Sequence, residues 1–239
     1  MKAMILAAGR GERMRPLTDH TPKPLLLAGG RPLIEHLIAA LVDGGIDEII
    51  VNTAHLGEQV EAVLGDGSRL GARMHFSPEG EALETGGGIY RALPVLGDEP
   101  FLVVNGDIAT DFPFGTLTRL PIDLAHLVLV PNPEHHPQGD FGLSASTVLD
   151  GGEPRHTFGG IGVYRPALFR DCGSGRFPLA PLLRAAMVQR SVSGQLYEGF
   201  WMDIGTVERL QTFDAYLNGK KKPAAVSCLN APARPAIRS

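Results

Sequence analysis

The residues best suited to chemistry gather at the start of the chain. An apolar run, Lys2 to Ala8, breaks into Gly9-Arg10-Gly11-Glu12-Arg13-Met14-Arg15-Pro16, and Thr21-Pro22-Lys23-Pro24 follows. Glycines without Cβ atoms let backbone N–H groups come close to an anion. Arg13, Arg15 and Lys23 bring positive charge to the same place, and a guanidinium grips phosphate oxygens bidentately. The chemistry indicated is phosphate binding. The apolar run is too short to span a membrane and reads as a buried strand. Parallel sheets bind ligands at the carboxyl ends of their strands, which is where this loop falls.

Two phosphate motifs do not fit. The dinucleotide fingerprint would need glycine where Met14 stands, and the P-loop needs Gly-Lys-Ser/Thr after its glycines. The residues instead spell Leu-Ala-Ala-Gly-x-Gly-x-Arg-x-x-Pro, followed by x-Pro-Lys-Pro. In this the stretch resembles the sugar nucleotidylyltransferases. The resemblance implies an α/β, Rossmann-like nucleotidyltransferase fold with a mixed central sheet flanked by helices. Ser77 to Ile89, Asn132 to Phe141 and Trp201 to Leu210 narrow it toward the uridylyltransferases of cell-wall recycling. That narrowing implies UTP and N-acetylmuramic acid 1-phosphate as substrates.

Nucleotidyl transfer is attack by a phosphate oxygen on the α-phosphorus of a nucleoside triphosphate. Both reactants are anionic, so catalysis is mainly positioning and charge neutralisation by cations and Mg²⁺. The resemblance assigns Ala8, Gly9, Gly11 and Glu12 to the nucleotide. It assigns Arg13 to the triphosphate and departing pyrophosphate, and Lys23 to the α-phosphate and the sugar phosphate. Asp107 and Asp203 become the Mg²⁺ ligands, as hard oxygen donors. Taken alone, each aspartate has a turn or cap role as its alternative. Gly80 falls where relatives read the base edge, although His75 stands where they carry glutamine. Thr85 and Gly86 belong to a turn that meets the sugar, with a plain helix cap as the alternative. Asn105 and Asp140 are candidates for sugar hydroxyl or N-acetyl contacts, with a loop role as the alternative for Asp140. A phosphate dianion needs no protein base, so His55, His135 and His136 are not recruited.

These residues require alternating strands and helices. Leu33, Ile34, Leu37, Ile38, Leu41 and Val42 mark a helix face that Gly44-Gly45 ends. Strands are predicted over 48–52, 73–77, 100–107 and 124–130. One more is predicted over 141–149, and another over 159–164. Helices are predicted over 56–64, 85–93, 178–189 and 207–217.

The 239 residues suffice for one α/β domain, expected over 1–217. The net charge of −4 argues against broad nucleic-acid binding. From Gly219 on there are five basic residues and no acidic one, against 17 basic and 26 acidic before it. Residues 218–239 read as a basic tail outside the fold. No stretch has a membrane-spanning or signal-peptide pattern, so a cytoplasmic protein is expected. Cys172 and Cys228 lack metal-ligand spacing and read as free thiols. The alternatives are GTP with mannose 1-phosphate, another hexose 1-phosphate, a nucleotide-sugar-dependent glycosyltransferase or a silent nucleotide-sugar sensor. Arg13 and Lys23 argue against the glycosyltransferase, since a diphosphate donor needs no triphosphate clamp.

Overall fold

Successive side chains of a strand point to opposite faces, and the first strand shows why this sheet is covered twice. In β1 (Ala3–Leu6), Ala3 and Ile5 enter one core and Met4 enters another. The computed structural model describes residues 1–219. The basic tail expected over 218–239 therefore lies, from residue 220 on, outside the described residues.

After β1, short 3-10 turns lead to β2 (Leu27–Ala28), β3 (Arg31–Pro32) and α1 (Leu33–Asp43). Then come β4 (Glu48–Thr53), α2 (Gly57–Leu64), β5 (Arg73–Pro78) and α3 (Glu84–Leu96). They are followed by β6 (Phe101–Asn105), β7 (Ile108–Thr110), β8 (Ala125–Val130), β9 (Phe141–Ser144), β10 (Thr147–Leu149) and β11 (Arg155–Tyr164). The described chain ends with α4 (Ala180–Val188), β12 (Val192–Leu196), β13 (Trp201–Asp203) and α5 (Val207–Leu217).

Nine strands form a sheet in the order β5-β4-β1-β6-β11-β8-β12-β10-β9. The first four are parallel, and β11 runs antiparallel to both β6 and β8. The sheet is mixed and flanked by helices, as the resemblance implied. Helices α1 and α2 bury Ile34, Leu37, Ile38, Val60 and Leu64 on one face. Helices α3 and α4 bury Ile89, Ala92, Leu183 and Met187 on the other. From β1 the chain steps to β4 and β5 on one side, then returns to place β6 on the other. The carboxyl ends of β1 and β6 thus flank a topological switch point, the place where open α/β sheets bind ligands.

Two two-stranded ribbons stand apart from the sheet, β2 with β3 and β7 with β13. They share a third core of Met14, Leu26, Ala28, Leu33, Ala109, Ile204, Leu210 and Phe213. Burying a Met or Ile side chain contributes roughly 1.5–3 kcal/mol. Met14 follows Arg13, and Ile204 follows Asp203. One apolar cluster therefore draws two distant candidate residues together.

Some boundaries differ from the sequence reading. Residues 141–149 are a hairpin and not one strand, turning at Ala145-Ser146 with Ala145 at φ 52. The usual Asn-Gly or Asp-Gly signal is missing there. Strand β6 stops at Asn105, so Asp107 sits in the turn before β7. Helix α3 runs past Pro94 because Leu96 is buried against the sheet. Strand β12, which the sequence reading did not include, begins at Val192 and pairs parallel with β8.

Candidate active site

At the end of β1 the chain leaves the sheet into the glycine loop. Gly11 adopts φ 68, and a Cβ there would stand 3.0 Å from Thr18 Cγ2. The buried Thr18 donates its hydroxyl to Gly11 O at 2.9 Å and ties the loop to the next turn. Gly9 differs: a Cβ there would meet nothing within 4 Å, and the residue faces a cavity of about 520 Å³.

That cavity is lined by Ala8, Gly9, Arg10, Gly11, Glu12 and Arg13 from the loop. Lys23, Asn52, Glu79, Thr85, Asn105 and Asp107 complete its functional wall. A second cavity of about 290 Å³ is lined by Asn105, Asp107, His135, His136, Trp201 and Asp203, among others. Asn105 and Asp107 line both, so the two hollows share a wall.

Lys23 is held between Pro22 and Pro24, which restrict its backbone. Its ammonium group lies 2.6 Å from Asp107 Oδ2. Asp203 Oδ1 accepts from the Arg209 guanidinium at 2.5 Å, and His135 Nε2 stands 3.0 Å from the same oxygen. Gly205 makes room for two guanidinium groups: a Cβ there would lie 2.7 Å from Arg209 and 2.9 Å from Arg13. Arg209 is neutralised by Asp203. Among the described residues neither Arg10 nor Arg13 has a carboxylate partner, so both can meet an anion in the larger cavity.

Strands β7 and β13 pair antiparallel, with Asp203 opposite Ile108, and the Ile204 N–H donates to Asp107 O at 2.6 Å. This ribbon brings the two aspartates to one cavity although they are far apart in sequence. Among the described residues, no group of three or more His, Cys, Asp or Glu side chains could hold a metal ion by itself. Asp107 and Asp203 both line the smaller cavity, and Asp107 also lines the larger one with the phosphate loop. Two such carboxylates fit Mg²⁺, which keeps waters and takes substrate phosphates as its other ligands.

Other sequence candidates are placed differently. Gly80, at φ 73, is not among the residues lining the larger cavity; its neighbour Glu79 is. His75 lies on edge strand β5, half exposed and 3.6 Å from Glu48. Asp140 lines neither cavity: Oδ1 faces His136 at 3.1 Å and Oδ2 accepts the Phe158 N–H at 2.8 Å. It shapes the loop that carries His135 and His136. The glycines Gly86, Gly87 and Gly88 are all buried. An added Cβ at Gly86 would lie 2.5 Å from the Phe177 ring, one at Gly87 would overlap Gly175 O, and one at Gly88 would lie 2.5 Å from Glu79 Oε1. Their Cβ directions are filled by protein, so packing requires glycine at all three. Of that turn's two candidates, Thr85 lines the larger cavity and Gly86 is not among its lining residues.

Sequence reasoning passed over Asn52, Glu79, His135 and Arg209. Asn52 had a signal, a polar residue closing the apolar run Ile49-Ile50-Val51. Arg209 had one too, since it lies in the Trp201–Leu210 stretch beside Asp203.

Residues 2–151 match the family model described as nucleotidyl transferase, so the chain belongs to the nucleotidyl transferase family. Among curated relatives, the N-acetylmuramate alpha-1-phosphate uridylyltransferase of Neisseria meningitidis serogroup B is 52% identical, over 90% of this chain and 97% of that one. The Caulobacter vibrioides protein of the same name is 35% identical, over 85% of this chain and 91% of its own. A mannose-1-phosphate guanylyltransferase catalytic subunit beta from Danio rerio is 31% identical, over 86% of this chain but 61% of its own. A solved structure of a putative glucose-1-phosphate thymidylyltransferase from Bacillus anthracis superposes with a TM-score of 0.79 at 22% identity. It covers 94% of this chain and 98% of that one, which places the fold.

Proposed function

We propose that this protein transfers the uridylyl group of UTP to N-acetylmuramic acid 1-phosphate, giving UDP-N-acetylmuramic acid and pyrophosphate. One observation carries the reading. Arg13, Lys23, Asp107 and Asp203 converge on two adjoining cavities in a chain 52% identical to a uridylyltransferase over nearly its whole length. The reaction would serve peptidoglycan recycling in the cytoplasm.

An oxygen of the sugar phosphate forms a bond to the α-phosphorus, and the bond from that phosphorus to the bridging oxygen of the β-phosphate breaks. The attacking group is already a dianion, so no side chain need take a proton. Arg10 and Arg13 hold the β- and γ-phosphates and receive the charge of departing pyrophosphate. Lys23 turns from Asp107 toward the α-phosphate, where charge redistributes. The backbone of Ala8 to Gly11 gives the nucleotide a close, Cβ-free approach. Asp107 and Asp203 would hold Mg²⁺, which supplies charge neutralisation at the phosphates when bound. Asn105 and Thr85 are the sugar-side contacts.

The test is a matrix of nucleoside triphosphates against sugar 1-phosphates, with Mg²⁺ and a pyrophosphate readout. UTP with N-acetylmuramic acid 1-phosphate should exceed every other pair in kcat/KM. Preference for GTP with mannose 1-phosphate would replace this reading.

A further inference from the structure

Glu79 is a carboxylate only 8% exposed, on the wall of a cavity proposed to take a triphosphate. No cation pairs with it among the described residues. Burying a charge without partners is costly, so its hydrogen bonds must account for it. Oε1 accepts from Asn52 Nδ2 at 2.6 Å, and Oε2 accepts the Leu83 N–H at 2.8 Å. Asn52, 3% exposed, in turn accepts the Ala7 N–H on its Oδ1 at 2.7 Å. The Glu79 N–H donates to Thr53 O at 2.8 Å, which closes the link to β4.

The two ends of this chain matter. Ala7 is where β1 ends and the phosphate loop begins, and its N–H is held by a side chain. Leu83 immediately precedes α3, next to Glu84 and Thr85 on the cavity wall. Gly88 exists beside the relay because a Cβ there would stand 2.5 Å from Glu79 Oε1 and 3.0 Å from Asn52 Nδ2. Each relay atom has a fixed donor or acceptor duty.

We infer that Asn52 and Glu79 are positioning residues, a buried brace that locks the phosphate loop to the acceptor-side turn before α3. The brace sets both halves of the cavity in register, so that the nucleotide's α-phosphorus and the incoming phosphate meet. The inference rests on the proposed transfer at this cavity, but the brace itself can be tested without it.

The polarity of the relay provides the experiment. In Asn52→Asp, two carboxylates face each other across the 2.6 Å contact. In Glu79→Gln, one amide oxygen cannot serve both the Asn52 amide and the Leu83 N–H. The double variant Asn52→Asp/Glu79→Gln reverses the polarity of the central bond. The amide nitrogen introduced at position 79 donates to the carboxylate introduced at position 52, and the amide oxygen accepts the Leu83 N–H. The new carboxylate still accepts the Ala7 N–H. Every hydrogen bond returns with the net charge unchanged.

Two readouts are taken at a temperature where circular dichroism shows the variants folded: amide hydrogen exchange over 7–13 and 82–88, and kcat and KM for both substrates. Each single variant should speed exchange in both segments and lower kcat/KM by about ten- to a hundredfold, the range for a buried polar group left unpaired. The double variant should restore slow exchange and bring kcat/KM to within a few-fold of the parent protein. A single variant that does not fold, with a double variant that folds and works, supports the brace equally. A double variant as impaired as the worse single variant overturns it, since Glu79 would then act through its charge on a ligand. Slow exchange restored by the double variant of a parent protein that itself releases no pyrophosphate would sink the proposed reaction and leave the brace standing.

Discussion

Lys23 Nζ and Asp107 Oδ2 lie 2.6 Å apart, with the lysine side chain mostly shielded from water. The group proposed for the α-phosphate and the group proposed for the metal are thus held at one point by each other. Removing either leaves its partner as an uncompensated charge at the wall shared by both cavities.

Lys23→Ala should chiefly slow turnover, by roughly a hundred- to a thousandfold, the cost of losing one preorganised electrostatic donor. Lys23→Arg should recover part of it, because a planar fork does not replace a compact point charge. Steady-state kinetics check this. An unchanged kcat with a raised KM for UTP would make Lys23 a binding clamp only.

Asp107→Asn and Asp203→Asn should each lower kcat by about a hundredfold or more. Both variants should still fold, since neither side chain is in the apolar core, with a lowered melting temperature from the cation each leaves unpaired, Lys23 for Asp107 and Arg209 for Asp203. Turnover against Mg²⁺ concentration is the measurement. Near-normal kcat at saturating Mg²⁺ removes that residue from the metal site.

Two glycines should separate binding from packing. Gly87→Ala drives a Cβ into Gly175 O and should cost about 1–3 kcal/mol of stability. Gly9→Ala meets open space, so its melting temperature should hold while KM for UTP rises. Thermal melts and kinetics on both variants decide; a stable Gly87→Ala would mean that the 173–178 segment shifts freely.

His126 is 5% exposed, between Ser193 Oγ at 2.9 Å and Gln195 Oε1 at 3.3 Å. Burial pushes its pKa below the ordinary 6.5, opposed by the Gln195 contact. The unfolded chain then binds a proton that the folded chain refuses. The His126 penalty is absent above about pH 6.5 and grows as pH falls below it. The melting temperature of the parent should therefore drop more steeply on acidification than that of His126→Gln. Parallel curves for the two proteins would refute the assignment.

Much of the frame was legible because periodicity and stop signals agreed. The apolar stripe from Leu33 to Leu41 ends at Gly44-Gly45, and α1 does too. The last helix is Val207–Leu217 as read, with the Thr206 hydroxyl accepting the Arg209 N–H as its N-cap. The β9–β10 hairpin was not legible, because Ala145 takes a left-handed turn position that sequence rules reserve for Gly or Asn. The glycine run was legible as backbone close approach, but not what approaches it. Phe177 and Gly175 arrive from a loop far along the chain, which local patterns do not encode. Asp140 was a sequence candidate and Glu79 was not; only tertiary hydrogen bonds separate the loop organiser from the cavity wall.

Because β7 draws its partner strand from far down the chain, the order of synthesis matters. A ribosome that has reached Tyr164 has already made the phosphate loop, Lys23 and Asp107. It has not made Asp203, nor the Ile204 and Phe213 that complete the core around Met14. At that length the chain carries the cations of the larger cavity but lacks the second carboxylate and part of the core that holds Met14 beside Arg13. On the proposed reaction, competence waits until β13 is made and the β7–β13 ribbon closes.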